Sequence, residues 1–304
     1  KLDRDEEFPT RLICSTPEEF FAAAKEKGWT IPVVRDELQN HAKGCFAVHS
    51  GIKQWNRQAE NRLQAAEKWS AVVDWQLGIP YPDNFTHAWK QVLFNQFHDI
   101  LAGTSLEAAY HDARNSFGEA LAIADRNLNA AVQALAWNIR MDKDDDVRPL
   151  VVFNSLAWPV KTNVEIESRF WPGEVELQDD AGCVVPYQQV QSTTTTGRVR
   201  TSFNAELPAM GYRTYRMILS GGMGQRKEST DEIRASDQVL ENRRLRLEFN
   251  PQSGAIASLR DKLVGVEVFS GEAAKAIVLN DPGDTWGHDI FRWDEVVGAF
   301  TATQ

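Results

Sequence analysis

The hydrophobic period changes once along this chain, and that change dictates a two-part fold. Ile52, Ala59, Leu63, Ala66, Val73 and Leu77 recur at helical steps until Gly78, Pro80 and Pro82 stop the series. Trp89, Leu93, Phe97 and Ile100 form a second series, from Thr86 to a stop at Gly103. Tyr110, Ala113, Phe117, Leu121, Ala124, Leu128, Ala131 and Leu135 form a third, entered at Leu106. Each series paints one apolar stripe on a helix, and each stripe needs a neighbour to bury it. Short connections make the neighbours antiparallel, so residues 46–140 are expected to form a three-helix bundle. The charge run 141–148 (MDKDDDVR) reads as a solvated linker. Beyond it the period falls to two. Residues 150–153, 164–166, 184–187 and 212–217 are short strand-like runs. Residues 245–249 alternate, and the turn 250–254 joins them to 255–259 as a hairpin. Short strands separated by turns predict an antiparallel β-sandwich over residues 149–304. The fold class is α+β, multidomain. Within the sandwich, Gly221-Gly222-Met223-Gly224 reads as a connector between lobes; it lacks the Lys-Ser/Thr and preceding strand of a phosphate loop.

Residues 1–45 are mixed. Thr16-Pro17-Glu18-Glu19 has the pattern of a capping box with proline in the first turn, so it opens a helix, which Gly28 stops. Residues 29–34 read as a short strand.

Composition excludes several functions. A net charge of −10, from 33 basic and 43 acidic residues, disfavours a polyanion-binding surface, so nucleic acid is not expected as a partner. No apolar run approaches the roughly 18 residues of a membrane helix, so a spanning protein is not expected either. Three widely spaced cysteines, Cys14, Cys45 and Cys183, offer neither a disulfide framework nor a CxxC site, which points to a reducing, cytoplasmic compartment. The ten Trp and fifteen Phe suit core filling or sugar stacking. No signal peptide is visible, and the chain opens and closes as a piece of a larger polypeptide would. Homo-oligomer formation is left open.

Six histidines are present: His41, His49, His87, His98, His111 and His288. None lies in HExxH or HxH, so no complete metal site is encoded locally. His98-Asp99 stands apart, because two polar residues sit among Phe97, Ile100 and Leu101 at a helix end that Gly103 can terminate. Thr104 with Glu107 is expected to form a capping box for the next helix, which puts the pair at a rigid corner. Successive helical residues point about 100° apart, so the imidazole and the carboxylate can address two different groups. Ser50, after His49, is expected to cap the first bundle helix. His41 and His111-Asp112 read as surface residues.

Phe97-His98-Asp99-Ile100-Leu101-Ala102-Gly103-Thr104-Ser105 resembles the (F/H)-H-D-x-(I/L)-x-G-T signature of glycoside hydrolase family 38, the zinc-dependent α-mannosidases. A second stretch runs through Glu37-Leu38-Gln39, Gly44-Cys45-Phe46, Ile52-Lys53, Asn56-Arg57, Glu60, Leu63 and Ala66-Glu67. It is similar to that family's passage from its catalytic β/α domain into its middle helical domain. A third, Gly254-Ala255-Ile256-Ala257-Ser258-Leu259 with Asp261-Lys262 and Gly265, resembles the start of its second β lobe.

The resemblance implies a division into the last part of a catalytic domain (1–45), a middle domain (46–140) and an incomplete sandwich domain (149–304). It implies that His98 binds zinc and that Asp99 hydrogen-bonds the hydroxyls of a mannoside substrate. It implies a retaining reaction with two carboxyl groups about 5–5.5 Å apart. The family's other zinc ligands lie in a His-x-Asp motif and a further Asp that is also the nucleophile. No His-x-Asp occurs in these 304 residues, and Asp36 and Asp74 lack a nucleophile context. The nucleophile and acid are therefore expected outside this chain, and the chain alone is expected to be inactive. Asp284, Trp286 and His288 resemble a Trp- and Asp-bearing segment of the family and are further pocket candidates. Two other readings stand beside this one: a non-catalytic carbohydrate-binding module, and a scaffold protein that would have no need of a polar pair at a tight helix corner.

Overall fold

A computed structural model describes residues 13–30, 32–35, 41–141, 144–168, 175–192, 199–219 and 233–301. The connector at 221–224 and the 37–39 stretch lie outside the described residues. The chain divides into two compact units, Lys1–Asn40 and His41–Gln304.

In the first unit, helix α1 spans Pro17–Glu26. The expected capping box is present: the Glu19 backbone N–H donates to Thr16 Oγ1 at 3.3 Å, and the Thr16 N–H donates to Glu19 Oε2 at 3.1 Å. Gly28, at φ 67°, follows. The expected strand over 29–34 does not form. The described residues there have no sheet partner, and Pro32 lacks a ladder donor.

The second unit opens on a 3₁₀ turn, Lys43–Phe46, and continues into helices α2 (Ser50–Leu77), α3 (Phe85–Asn95), α4 (His98–Leu101) and α5 (Glu107–Trp137). The three long helices bury the predicted stripes together. Ile52, Ala59, Leu63 and Ala66 of α2 meet Phe85, Ala88 and Val92 of α3, and Tyr110, Ala113, Phe117, Ala120, Ile123 and Ala124 of α5. The alanines keep α2 and α5 close along their length, while Phe85 and Phe117 fill the space between layers.

The second predicted helix does not run unbroken to Gly103. It breaks at Gln96–Phe97, where Phe97 takes φ −52°, ψ 137°. Gln96 Nε2 leaves the helix surface and donates to Asn56 Oδ1 at 3.0 Å and Glu60 Oε1 at 2.9 Å on α2. Buried polar groups that find partners across helices override local propensity here. The predicted box at Thr104 and Glu107 is also absent. Leu106 is the N-cap residue of α5 and makes no side-chain cap. The Ser105 N–H donates to the Tyr110 hydroxyl instead, at 2.9 Å, and that hydroxyl donates to the Ile100 carbonyl at 3.3 Å.

The sandwich pairs two three-stranded antiparallel sheets. One has the order β1 (Val147–Asn154), β6 (Gly211–Leu219), β3 (Val175–Asp179); the other has β2 (Val160–Ser168), β5 (Val199–Leu207), β4 (Tyr187–Gln191). Strand β5 shows the period: Thr201, Phe203, Ala205 and Leu207 turn inward to meet Leu177, Tyr215 and Met217 of the facing sheet. The run at 184–187 gives a single bridge, Val184 to Gln178, before β4 begins at Tyr187. Pro186 interrupts it for want of an N–H. A five-stranded meander follows, β7 (Arg234–Ala235), β8 (Val239–Glu241), β9 (Leu245–Phe249), β10 (Ile256–Asp261) and β11 (Val266–Glu267). It contains the predicted 245–259 hairpin. A final pair is β12 (Ile277–Leu279) and β13 (Val296–Ala299). Bundle and sandwich meet where the Phe153 ring stands edge-on to Trp69, centroids 5.2 Å apart.

Two substitutions on neighbouring helices should move stability in opposite directions. Leu63→Ala, at a side chain with no solvent exposure, should cost about 2–5 kcal/mol. Gly118→Ala, in the interior of α5 with nothing within 4 Å of the added Cβ, should gain roughly 0.5–1 kcal/mol. Denaturant midpoints measure both.

Candidate functional site

Helix α4 is a single turn, and it presents the predicted pair. The His98 side chain is 78% exposed and that of Asp99 50%. The apolar residues around the pair do not bury it, and Phe97 is itself 53% exposed. The helix break turns these side chains outward, and only Ile100 packs on the bundle core. His98 Nε2 lies 3.6 Å from Asp99 Oδ1, too far for a hydrogen bond. The Phe97 ring lies against the imidazole, centroids 4.3 Å apart. The pair therefore addresses solvent with both ring nitrogens and both carboxylate oxygens uncommitted to hydrogen bonds.

What holds this exposed pair in place lies beneath it. Lys53 Nζ donates to the carbonyl of Val48 at 2.8 Å, of Ala102 at 3.2 Å and of Leu101 at 3.4 Å. One ammonium thus gathers the C-terminal carbonyls of α4 and the segment that precedes α2, where a cation is favoured. Burial lowers the Lys53 pKa from its ordinary value. Gly103, at φ 84°, lets the chain pass so near Val48 that an added Cβ would lie 2.5 Å from the Val48 carbonyl oxygen. His49, not Ser50, is the N-cap residue of α2. It takes the left-handed conformation and makes no side-chain cap. Its ring stacks on Tyr110 instead, centroids 3.9 Å apart, so the expected serine cap is displaced by a ring contact that orders the corner.

The second candidate cluster is stitched to the same stretch, residues 41–48. The Gly44 N–H donates to the Trp286 carbonyl at 3.0 Å. Lys43 Nζ donates to the Ile290 carbonyl at 2.9 Å and to that of Phe291. A Cβ on Gly44 would fall 2.2 Å from the Thr285 carbonyl oxygen. Within the loop, Asp284 Oδ1 accepts from the backbone N–H groups of Trp286 and His288 at 3.1 and 3.2 Å, and its Oδ2 lies 2.7 Å from His288 Nδ1. The bond to His288 and those backbone N–H groups hold the Asp284 carboxyl below the usual range. Trp286 is half-buried, with its ring parallel to that of His288. His41 is exposed at the surface, and its ring centroid lies 5.9 Å from that of His288. His111 is solvated, with Nε2 3.9 Å from Glu107 Oε1.

Sequence reasoning missed the roles of Lys53, Lys43, Gln96 and Tyr110; the first three each reach a partner at least 36 residues away. The signal they left was faint: a polar side chain beside a buried helix position.

Among the described residues no group of three or more His, Cys, Asp or Glu could hold a metal ion. The donor chemistry of His98, an exposed imidazole without a hydrogen bond among the described residues, suits a single metal ligand.

Residues 40–135 match the family described as alpha mannosidase middle domain. The bundle is thus similar to that domain over the length of its three long helices. Alpha-mannosidase 2C1 of Mus musculus is 24% identical over 160 residues, which are 52% of this chain and 15% of that protein. A glycosyl hydrolase family 38 protein from Enterococcus faecalis superimposes with a TM-score of 0.64 at 19% identity, covering 96% of this chain and 38% of that one. An alpha-mannosidase from Enterococcus faecalis V583 gives 0.63 at 17% identity, covering 97% and 36%. The chain thus resembles the family 38 α-mannosidases in sequence and fold, and spans less than half the length of each of these proteins.

Two measurements test the geometry of this corner and its loop. Gly103→Ala should destabilise the bundle by at least the roughly 1–2 kcal/mol of a left-handed non-glycine residue, since the Val48 carbonyl must also move; thermal melts read it. The Asp284 carboxyl titrates lower folded than unfolded, so its contribution is present above its ordinary value of 3.8 and is lost as pH falls through the folded value. Amide-exchange protection of Trp286 and His288 should hold at neutral pH and collapse in that acid range, and Asp284→Asn should remove the transition.

Proposed function

We propose that the chain is part of a retaining, zinc-dependent α-mannosidase that removes terminal α-mannosyl units. The observation that carries this reading is the presentation of His98 and Asp99 on a one-turn helix, exposed but anchored through Lys53. In this reading residues 1–45 end a catalytic domain, 46–140 are the middle domain, and 149–304 begin a sandwich domain that continues beyond them. The match of residues 40–135 to the middle-domain family, and the small share of the relatives' length covered here, support that division.

The mechanism assigns this chain a binding and orienting part. His98 offers one imidazole to the metal. When bound, zinc supplies a Lewis-acid contact that holds sugar hydroxyls and favours a flattened ring. Asp99, an acceptor when ionised, takes hydrogen bonds from hydroxyls of the same sugar, at an angle about 100° round the helix from the imidazole. The anchored helix end fixes both in advance, which spares the ordering that loose side chains would need on binding. The nucleophile and the acid/base come from residues outside these 304, so the chain by itself is inactive.

The test is an aryl α-mannoside assay on a longer polypeptide that contains these residues, with zinc content measured alongside. His98→Ala should lose bound zinc and at least the roughly 10–100-fold in rate that even outer-shell partners cost. A chelator should abolish wild-type turnover, and the released sugar should first appear as the α-anomer. Undiminished zinc and rate in His98→Ala would refute the metal role. Tight binding of mannose oligosaccharides by the 304-residue chain alone would instead favour a carbohydrate-binding module, since half a pocket should bind weakly.

A further inference from the structure

The break between α3 and α4 decides which way Asp99 faces. Phe85, Ala88, Val92 and Asn95 mark the buried face of α3. In an unbroken helix Asp99, seven residues past Val92 and four past Asn95, would lie on that same face. Its carboxylate would enter the bundle core, where a charge without partners is costly. His98, four residues past the exposed Phe94, would still face solvent. An unbroken helix therefore parts the pair, and the break at Gln96–Phe97 is what brings both side chains to the surface. The side chain at that break is tied to another helix. Gln96 Nε2 donates to Asn56 Oδ1 at 3.0 Å and to Glu60 Oε1 at 2.9 Å. Both acceptors are themselves held, since Asn56 is buried and Arg57 Nη1 pairs with Glu60 Oε2 at 2.8 Å. One residue beyond this clasp, Phe97 leaves helical geometry at ψ 137°.

We propose that Gln96, clasped by Asn56 and Glu60, is the positioning residue for Asp99: it maintains the break and so keeps the carboxylate turned out towards the hydroxyls of a bound α-mannoside. The sugar contact rests on the mannosidase reading, whereas the direction in which Asp99 faces is a property of the helix and is measured separately. His98 faces solvent with or without the break, so Gln96 acts on the sugar contact and not on the zinc ligand.

The experiment uses the longer polypeptide and three readouts: amide exchange at Asp99, zinc content, and kcat/KM for an aryl α-mannoside. Gln96→Leu removes both hydrogen bonds and puts a strong helix former at the break. The Asp99 N–H, in the first turn of α4, has no acceptor within its own helix. In Gln96→Leu it should gain the Asn95 carbonyl, and its exchange should slow roughly 10-fold or more. The kcat/KM should fall roughly 10-fold, the worth of one hydrogen bond to a charged acceptor, at unchanged zinc content. In an Asp99→Ala background Gln96→Leu should change kcat/KM by less than about 2-fold, because it acts through Asp99. Gln96→Glu sets a second carboxylate against Glu60 and should also lower kcat/KM. Combined with Glu60→Gln, donor and acceptor change places while Asn56 turns its amide, and most of the loss should return. If Gln96→Leu does not fold, the comparison of Gln96→Glu with this exchanged pair decides alone. The inference is overturned if Asp99 exchange or kcat/KM keeps its wild-type value in Gln96→Leu, if the loss persists in full in the Asp99→Ala background, or if the exchanged pair recovers nothing. A wild-type longer polypeptide with no α-mannosidase activity overturns the mannosidase reading, and the sugar contact with it, whatever the exchange at Asp99.

Discussion

The ammonium of Lys53 touches carbonyls that belong to two separate pieces of chain, Val48 on one side and Leu101 and Ala102 on the other. Hydrogen bonds to a charged donor are stronger than neutral ones, and these are partly shielded from water. They close the point at which α3, α4 and α5 change direction, and they fix it to the start of α2. Helix packing alone would not do so. The bundle core runs from Leu63, Phe85 and Phe117 up to Ile52, Tyr110 and Ile100 at the corner, and polar contacts fix the backbone there. Gln96 on Asn56 and Glu60, Tyr110 on Ser105 and Ile100, and His49 on Tyr110 complete the set. An exposed histidine becomes a placed histidine because the backbone beneath it has so few ways to move.

Two contacts of different kinds stand out among those that join the rest of the second unit. Phe153 against Trp69 joins sandwich to bundle through aromatic area, which resists separation but directs little. The 41–48 stretch joins the 284–291 loop through main-chain hydrogen bonds and a lysine, which fix register and direction. Together they let a β domain bring a side chain such as His288 to a place set by helices.

Sequence periodicity carried most of the fold. The stripes on α2, α3 and α5, the capping box on α1 and the 245–259 hairpin were legible because each depends on residues close in the chain. The break at Gln96–Phe97 was not, since the amide that causes it bonds to residues 36 and 40 positions away. The absent box at Thr104 was not legible either, because α5 starts only at Glu107 with Leu106 as its N-cap residue. At the site, His98 and Asp99 could be singled out from an apolar context, but their exposure could not, because it follows from that unforeseen break. Asp284 and His288 stood out as a polar cluster; the bond between them is local, four residues apart, whereas the anchoring of their loop to Gly44 has no local trace.

The seam between residues 43–44 and the 285–291 loop is built of main-chain atoms and one lysine: an N–H from Gly44, the Lys43 ammonium, carbonyls from Trp286, Ile290 and Phe291, and a gap at Gly44 that Thr285 occupies with its carbonyl. Such a join is blind to the identity of most side chains along it. A change at Thr285 that leaves its carbonyl in place keeps the hydrogen bonds of the docking, while a single methyl group at position 44 pries it open. Divergence in this loop is thus a poor guide to divergence in its placement, and a bare hydrogen on one α-carbon does the work that a motif does elsewhere.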